Sequence, residues 1–182
     1  MNIPGITDSN IEIFAAKYPS CNAFYKGQLV HFWELPKKFT DRITDIVLSD
    51  REAMKTFKEE GIQSERLMVE IWVWCNLGRF DNIPDLETET GRVNTEYHDC
   101  GKRGKCPFEF RRCKRLKTET DTLTPREADY LKETARGLTD REIARRMNLK
   151  PKSMISLARR VREKVGVSNR AWLASWAVRM ML

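Results

Sequence analysis

Two Thr-x-x-Glu sequences fifteen residues apart, Thr124-Pro125-Arg126-Glu127 and Thr139-Asp140-Arg141-Glu142, restrict where two helices can begin. In such a box the threonine hydroxyl accepts from the amide three residues on, and the glutamate reaches back to the threonine amide. Two otherwise unpaired N–H groups are thereby satisfied reciprocally. Pro125 strengthens the first box, because the first helical position needs no amide and favours proline's preset φ. The pattern predicts a helix from 125 with Ala128, Leu131 and Ala135 on one face, stopped by Gly137. A short second helix carries Ile143, Ala144 and Met147. After the turn Asn148-Leu149-Lys150, Pro151 opens a third, with Met154, Leu157, Ala158, Val161 and Val165 as its apolar stripe and Gly166 at its end. A fourth runs from about Asn169, with Leu173, Trp176, Ala177 and Met180 facing inward.

Helix, short helix, tight turn and longer helix is the helix-turn-helix arrangement, whose recognition helix lies in the DNA major groove. The face of the third helix opposite its stripe carries Lys152, Ile155, Ser156, Arg159, Arg160 and Arg162, with no acid before Glu163. Phosphates and base edges require such donors and cations, whereas a helix facing only water more often mixes signs. A plain three- or four-helix bundle with a basic surface is the alternative. The charge distribution favours the first reading: residues 101–182 hold 22 Lys or Arg against nine Asp or Glu, a balance of +13, leaving −6 before residue 101. A basic block beside an acidic one points to a polyanionic partner.

These residues resemble the LuxR (GerE-type) helix-turn-helix transcription regulators. The resemblance covers about residues 123–177 and rests on Leu123-Thr124-Pro125-Arg126-Glu127, Gly137-Leu138-Thr139-Asp140-Arg141-Glu142-Ile143-Ala144 and Lys164-Val165-Gly166-Val167-Ser168-Asn169-Arg170-Ala171. The family's recognition helix usually begins Ser-Pro-Lys-Thr-Val, with a histidine four positions after the threonine. Here Lys150-Pro151-Lys152-Ser153-Met154 leads to Leu157, so half-site preference does not transfer from relatives. The resemblance implies base contacts from Ile155, Ser156 and Arg159, with Arg159 the main base reader. It implies phosphate contacts from Lys152, Ser153 and nearby cations such as Arg160. It also implies double-stranded DNA as partner and a homodimer on DNA formed through the last helix, with Trp172 and Ser175 facing the second copy; Trp172 as core filling is the alternative.

The first 96 residues read as a helical domain of unassigned role, joined by a basic, cysteine-bearing connector (97–122) to the helix-turn-helix domain (123–182), in a mainly α chain. Asp8 or Ser9 is placed as the cap of a helix carrying Ile11, Phe14 and Ala15 and ending near Tyr18-Pro19-Ser20. Leu29 to Leu35 reads as a strand or a helical turn closed by Pro36. Further helices are expected over roughly 38–60 and 64–77, the second capped by Ser64, stopped by Gly78 and apolar on more than one face, as in a core. Asp81 to Glu96 reads as an irregular connection, and Thr118 to Thr122 as a short polar hinge. Many proteins with this C-terminal module carry a receiver domain, but the repeated β-α pattern and the strand ending in aspartate are missing here. The family's acyl-homoserine-lactone domain is also a poor match, and a packed core is the favoured use of Trp33, Trp72 and Trp74.

Five cysteines, at 21, 75, 100, 106 and 113, are an odd number and argue against a disulfide framework. Cys100, Cys106 and Cys113 lie close together among eight Lys or Arg residues between Tyr97 and Lys117. With Cys75 or His98 as the fourth ligand they suit tetrahedral zinc, the first reading of the cofactor. Cys75, Cys100, Cys106 and Cys113 can instead hold an iron–sulfur cluster, the second reading, or remain unliganded or redox-active thiols. The neighbouring cations are expected to depress the thiol pKa values.

No phosphate-binding glycine loop, HExxH or G-x-S-x-G is present, and His31 and His98 stand apart from any nucleophile, so no enzyme activity is expected. No run is long and apolar enough to span a membrane, no membrane association is expected, and the opening residues lack a secretory signal, which places the chain in the cytoplasm. The leading expectation is a sequence-specific DNA-binding transcription regulator that inserts helix 151–165 in the major groove. Its rivals are a sigma-factor-like promoter-binding subunit acting with RNA polymerase and a metal-dependent nucleic-acid enzyme.

Overall fold

Ile11, Ile13, Cys21 and Ala23 alternate inward along two short strands, and this is where the N-terminal half departs from the helical expectation. The structure, a computed structural model, describes residues 2–118 and 121–180. The chain divides into two units, one ending at Lys114 and the other beginning at Arg115. Residues 97–114 of the expected connector thus belong to the first unit. Of the hinge read at Thr118 to Thr122, residues 119 and 120 lie outside the described residues.

The first unit opens with an antiparallel sheet of β1 (Ile11–Ala15), β2 (Cys21–Tyr25) and β3 (Gln28–His31), in the order β1-β2-β3. The helix expected from Asp8 or Ser9 is therefore a strand. Its 3.6-residue reading depended on Phe14 and Ala15, whereas Ile11 and Ile13 are the buried pair, two residues apart as in a pleat. Lys26 and Gly27, both at positive φ, make the two-residue turn between β2 and β3. The outer edge of β1 is covered by three partners. Ile11 exchanges hydrogen bonds with Leu86, the Ile13 amide donates to the Asp85 carboxylate at 2.7 Å, and the Ala15 amide donates to the Gly78 carbonyl. Such pairing removes the open row of amides that an edge strand would present.

Leu29 to Leu35 contains both expected alternatives, the end of β3 and then a 3-10 turn at Phe32–Glu34. The single helix expected over 38–60 is two, α1 (Lys37–Ser49) and α2 (Arg51–Glu59). Asp50 divides them, since its side chain caps α2 by accepting from the Ala53 amide and also accepts from the Trp72 indole. Helix α3 (Glu65–Asn76) begins at the Ser64 cap and buries Val69, Ile71, Trp72, Val73 and Trp74, so it fills the core on more than one face. These helices and the sheet share one hydrophobic core.

The second unit contains α4 (Pro125–Ala135), α5 (Asp140–Arg146), α6 (Pro151–Val165) and α7 (Arg170–Arg179). Both capping boxes form: Thr124 and Thr139 accept from the amides of Glu127 and Glu142, and each glutamate accepts from its threonine amide at 2.8 Å. Asn148 takes the left-handed conformation in the turn between α5 and α6, and Gly166, at φ 74°, ends α6. The core uses Ala128, Leu131, Ile143, Met154, Leu157, Val161, Leu173 and Ala177, joined by Tyr130, whose hydroxyl donates to Asp140. No described helix is long and apolar enough to cross a membrane.

Candidate nucleic-acid interface and cysteine cavity

The three-residue and four-residue spacing of Met154, Leu157, Ala158 and Val161 turns these side chains into the second unit's core and the remaining positions of α6 outward. Lys152, Ser153, Ile155, Ser156, Arg159 and Arg160 are all exposed. Ile155 is 69% exposed and contributes nothing to the core. Leu157, at the position where the family usually has histidine, is buried at 3% exposure and therefore acts in packing.

Lys150 caps α6 without a side-chain hydrogen bond, so the first-turn amides are free of a competing side-chain acceptor. Helix N-termini of this kind attract phosphate. Ser156 Oγ donates to the Lys152 carbonyl at 3.1 Å, and Arg159 lies 3.7 Å from Glu163 in a wholly exposed pair that solvent screens. Arg160 is exposed as well, and its guanidinium lies 4.0 Å from the buried carboxylate of Glu127. Burial raises the Glu127 pKa, but the Thr124 amide and the Lys164 ammonium, 3.0 Å away, outweigh it and hold the carboxyl below its ordinary value. Glu127 thus completes the capping box of α4 and ties that helix to α6. Elsewhere in the second unit, Arg141, Arg145 and Arg146 of α5 and Lys150 of the turn are exposed cations, Arg146 pairing with Glu133 at 2.7 Å.

Trp172 is 63% exposed on α7, and Ser175 and Val178 are exposed beside it at helical spacing. This removes the core-filling alternative for Trp172. Arg170 orients the start of α7 by donating to Asp140 at 3.1 Å and to the Leu138 carbonyl.

In the first unit, Cys75, Cys100, Cys106 and Cys113 line one cavity of about 280 Å³. Cys75 comes from α3 and the other three from the 97–114 loop. Two buried arginines hold that loop. Arg103 donates to the carbonyls of His98 and Lys114, and Arg112 donates to Thr56 at 2.9 Å and pairs with Glu60 at 2.7 Å. Asn76 donates to the Arg112 carbonyl, which fastens the loop to the end of α3. His98 does not line the cavity. It packs edge-on to Trp74, its Nε2 buried beside Gly78, and burial together with Arg103 pushes its pKa down to about 4.

All five cysteines are free thiols. The expected depression of their pKa values is overturned at two of the cavity positions. Burial, reinforced by the neighbouring thiols, pushes Cys75 up to about 12 despite Arg112, and burial also raises Cys113 despite Arg103. Among the described residues, no group of three or more His, Cys, Asp or Glu side chains comes together closely enough to hold a single metal ion, which leaves the zinc reading without support.

A second buried polar group, absent from the sequence reading, consists of Glu12, Asp81, Asp85 and Glu96 with Arg79. Glu12 accepts from the Asp81 amide at 2.6 Å and Glu96 from the Arg79 amide at 2.9 Å, so these carboxylates brace the chain after α3. Only the burial of a glutamate inside a strand could have signalled it, and one sequence carries no sign of that.

Residues 121–177, about a third of the chain, match the family model GerE, described as bacterial regulatory proteins of the luxR family. No curated protein and no solved structure matches the chain. The match spans α4 to α7 with both capping boxes and the exposed face of α6, and the family's proteins are helix-turn-helix DNA-binding regulators, often dimeric on DNA. The C-terminal part of this chain is therefore a GerE domain of the luxR family.

Proposed function

We propose that the protein is a sequence-specific transcription regulator that places α6 in the major groove of double-stranded DNA. The observation that carries this reading is the outward face of α6, where Lys152, Ser153, Ile155, Ser156, Arg159 and Arg160 are exposed while the alternate positions are buried. Arg159 reads a base edge, best a guanine, through its paired donors, and Ile155 offers an apolar surface to a thymine methyl. Lys152, Ser153 and Arg160 contact phosphate, together with the amides at the start of α6. The exposed stripe of Trp172, Ser175 and Val178 on α7 pairs two copies on DNA.

Salt-dependent binding of the full chain to duplex DNA tests this reading. Lys152→Ala is expected to weaken binding to all sequences alike and to reduce the slope of log K against log salt by about one unit. Arg159→Ala is expected to lose about 1–3 kcal/mol on preferred DNA and less on random DNA. Equal losses by both variants on both DNAs would overturn the division between base and phosphate contacts. Binding to promoter DNA only in the presence of RNA polymerase would replace the reading with that of a sigma-factor-like subunit.

A further inference from the structure

Four of the five cysteines, brought together from α3 and a loop 25 to 38 residues further on, line the same cavity, while Cys21 is buried in β2. A single zinc ion would draw its four sulfurs to about 3.8 Å of one another, given tetrahedral Zn–S bonds of about 2.3 Å. Here the thiols surround a space of about 280 Å³, and no three of them converge on one ion. A cubane cluster has the opposite requirement, because each ligand binds a different corner iron and the sulfurs stand apart around a filled volume.

The walls also suit such an occupant. Tyr18, Trp74, Pro107 and Phe108 supply apolar and aromatic surface that limits water. A cluster bound by four thiolates is anionic, and four cations line the cavity, Lys102, Arg103, Lys105 and Arg112, against two carboxylates, Glu60 and Glu109, which pair with Arg112 and Arg103. Arg103 Nη2 is buried and has no hydrogen-bond partner among the described residues, although Nε and Nη1 are both engaged. A buried guanidinium donor without an acceptor is costly, and a cluster or cysteine sulfur would provide the acceptor.

We infer that Cys75, Cys100, Cys106 and Cys113 ligate a [4Fe–4S] cluster in the cavity they line. Loading from a preformed cluster is a ligand exchange: each cysteine sulfur forms one Fe–S bond, each departing small thiolate breaks one, and each cysteine proton passes to the thiolate that leaves. Iron keeps its oxidation state, so no oxidant or reductant is consumed.

The test uses the anaerobic full chain, incubated with a synthetic [4Fe–4S] cluster carrying small thiolate ligands and then desalted. Retention of about four iron and four sulfide per chain, with a broad visible absorbance that dithionite bleaches, is the expected result. Cys106→Ser, on the loop, is expected to lose more than half of the iron while keeping the far-ultraviolet circular dichroism of the parent. Cys75→Ser provides the same comparison from α3, and Cys21→Ala is expected to retain the full complement. The inference is overturned by a chain that retains no iron, by one that purifies with stoichiometric zinc and resists loading, by disulfide formation among the four thiols in place of loading, or by full retention in folded Cys106→Ser.

Discussion

Glu127 holds three partners at once: the Thr124 amide in the capping box, the Lys164 ammonium at 3.0 Å and the Arg160 guanidinium at 4.0 Å. Its first role was legible in Thr124-Pro125-Arg126-Glu127, because a capping box is a local pattern with a local cause. The other two were not, since they depend on α6 returning across α4 more than thirty residues later. Glu127→Ala is expected to cost the C-terminal unit about 1–3 kcal/mol, because it leaves the Thr124 amide without its acceptor and Lys164 partly buried without its main carboxylate, while the Thr124 cap itself remains. A chemical denaturation midpoint unchanged from the parent would contradict this. The outward residues of α6 were readable for a similar reason, as the periodicity that buries Met154 and Leu157 leaves Ile155 and Arg159 outside. The cysteines were only half readable. Their proximity in sequence suggested a common site, but the exclusion of His98 and the dominance of burial over nearby cations at Cys75 emerge only from the packing around Trp74 and Arg112.

At the scale of elements, helices with explicit start and stop signals were legible and short strands were not. Ser64 caps α3, and Gly166 ends α6 in the left-handed conformation that glycine accepts without strain. The sheet was obscured by two local exceptions. Phe14 stands where the alternation begun by Ile11-Glu12-Ile13 calls for a polar residue, and the turn after β2 uses Lys26-Gly27 where Asn-Gly would have announced a hairpin. The division of residues 38–60 into α1 and α2 has one identifiable cause, Asp50, whose carboxylate serves both the Ala53 amide and the Trp72 indole. Asp50→Ala is therefore expected to destabilise the N-terminal unit by about 0.5–2 kcal/mol, as measured by equilibrium denaturation. A stabilised variant would mean that one continuous helix is the better solution and that the break is not held by the cap.

Across the whole molecule, the two units differ in sign of charge and in their response to pH. Burial pushes Glu12 up to about 8 despite the hydrogen bond from the Asp81 amide, and pushes Glu96 up as well, with the Asp81 carboxylate adding to the rise at Glu96. Carboxyls whose folded pKa exceeds the unfolded value keep a proton that the unfolded chain releases, so stability falls as pH rises from the unfolded value of 4.5 towards 8. Glu127 has the opposite linkage: its folded pKa is depressed, so its contribution is present above 4.5 and is lost as pH falls through the folded value. His98, held down to about 4, works the other way but only up to its unfolded value of 6.5, whereas Glu12 and Glu96 act across the whole range. The N-terminal unit is accordingly expected to melt at a lower temperature at about pH 8 than at about pH 5, with the C-terminal unit declining only in more acidic solution. Residue-resolved melting by nuclear magnetic resonance checks both signs, and a more stable N-terminal unit at the higher pH would contradict the burial of its carboxyls. The charge asymmetry was visible in composition, and it concentrates cations in the part of the chain that carries the GerE domain. Selection of duplexes from a random DNA library by the full chain, repeated with Arg159→Ala, is the most direct test of sequence reading by α6. The parent is expected to enrich a defined sequence, and the variant still to bind but to relax the choice at one base pair of each half-site. Enrichment of no sequence by the parent, or an unchanged preference in the variant, would contradict it.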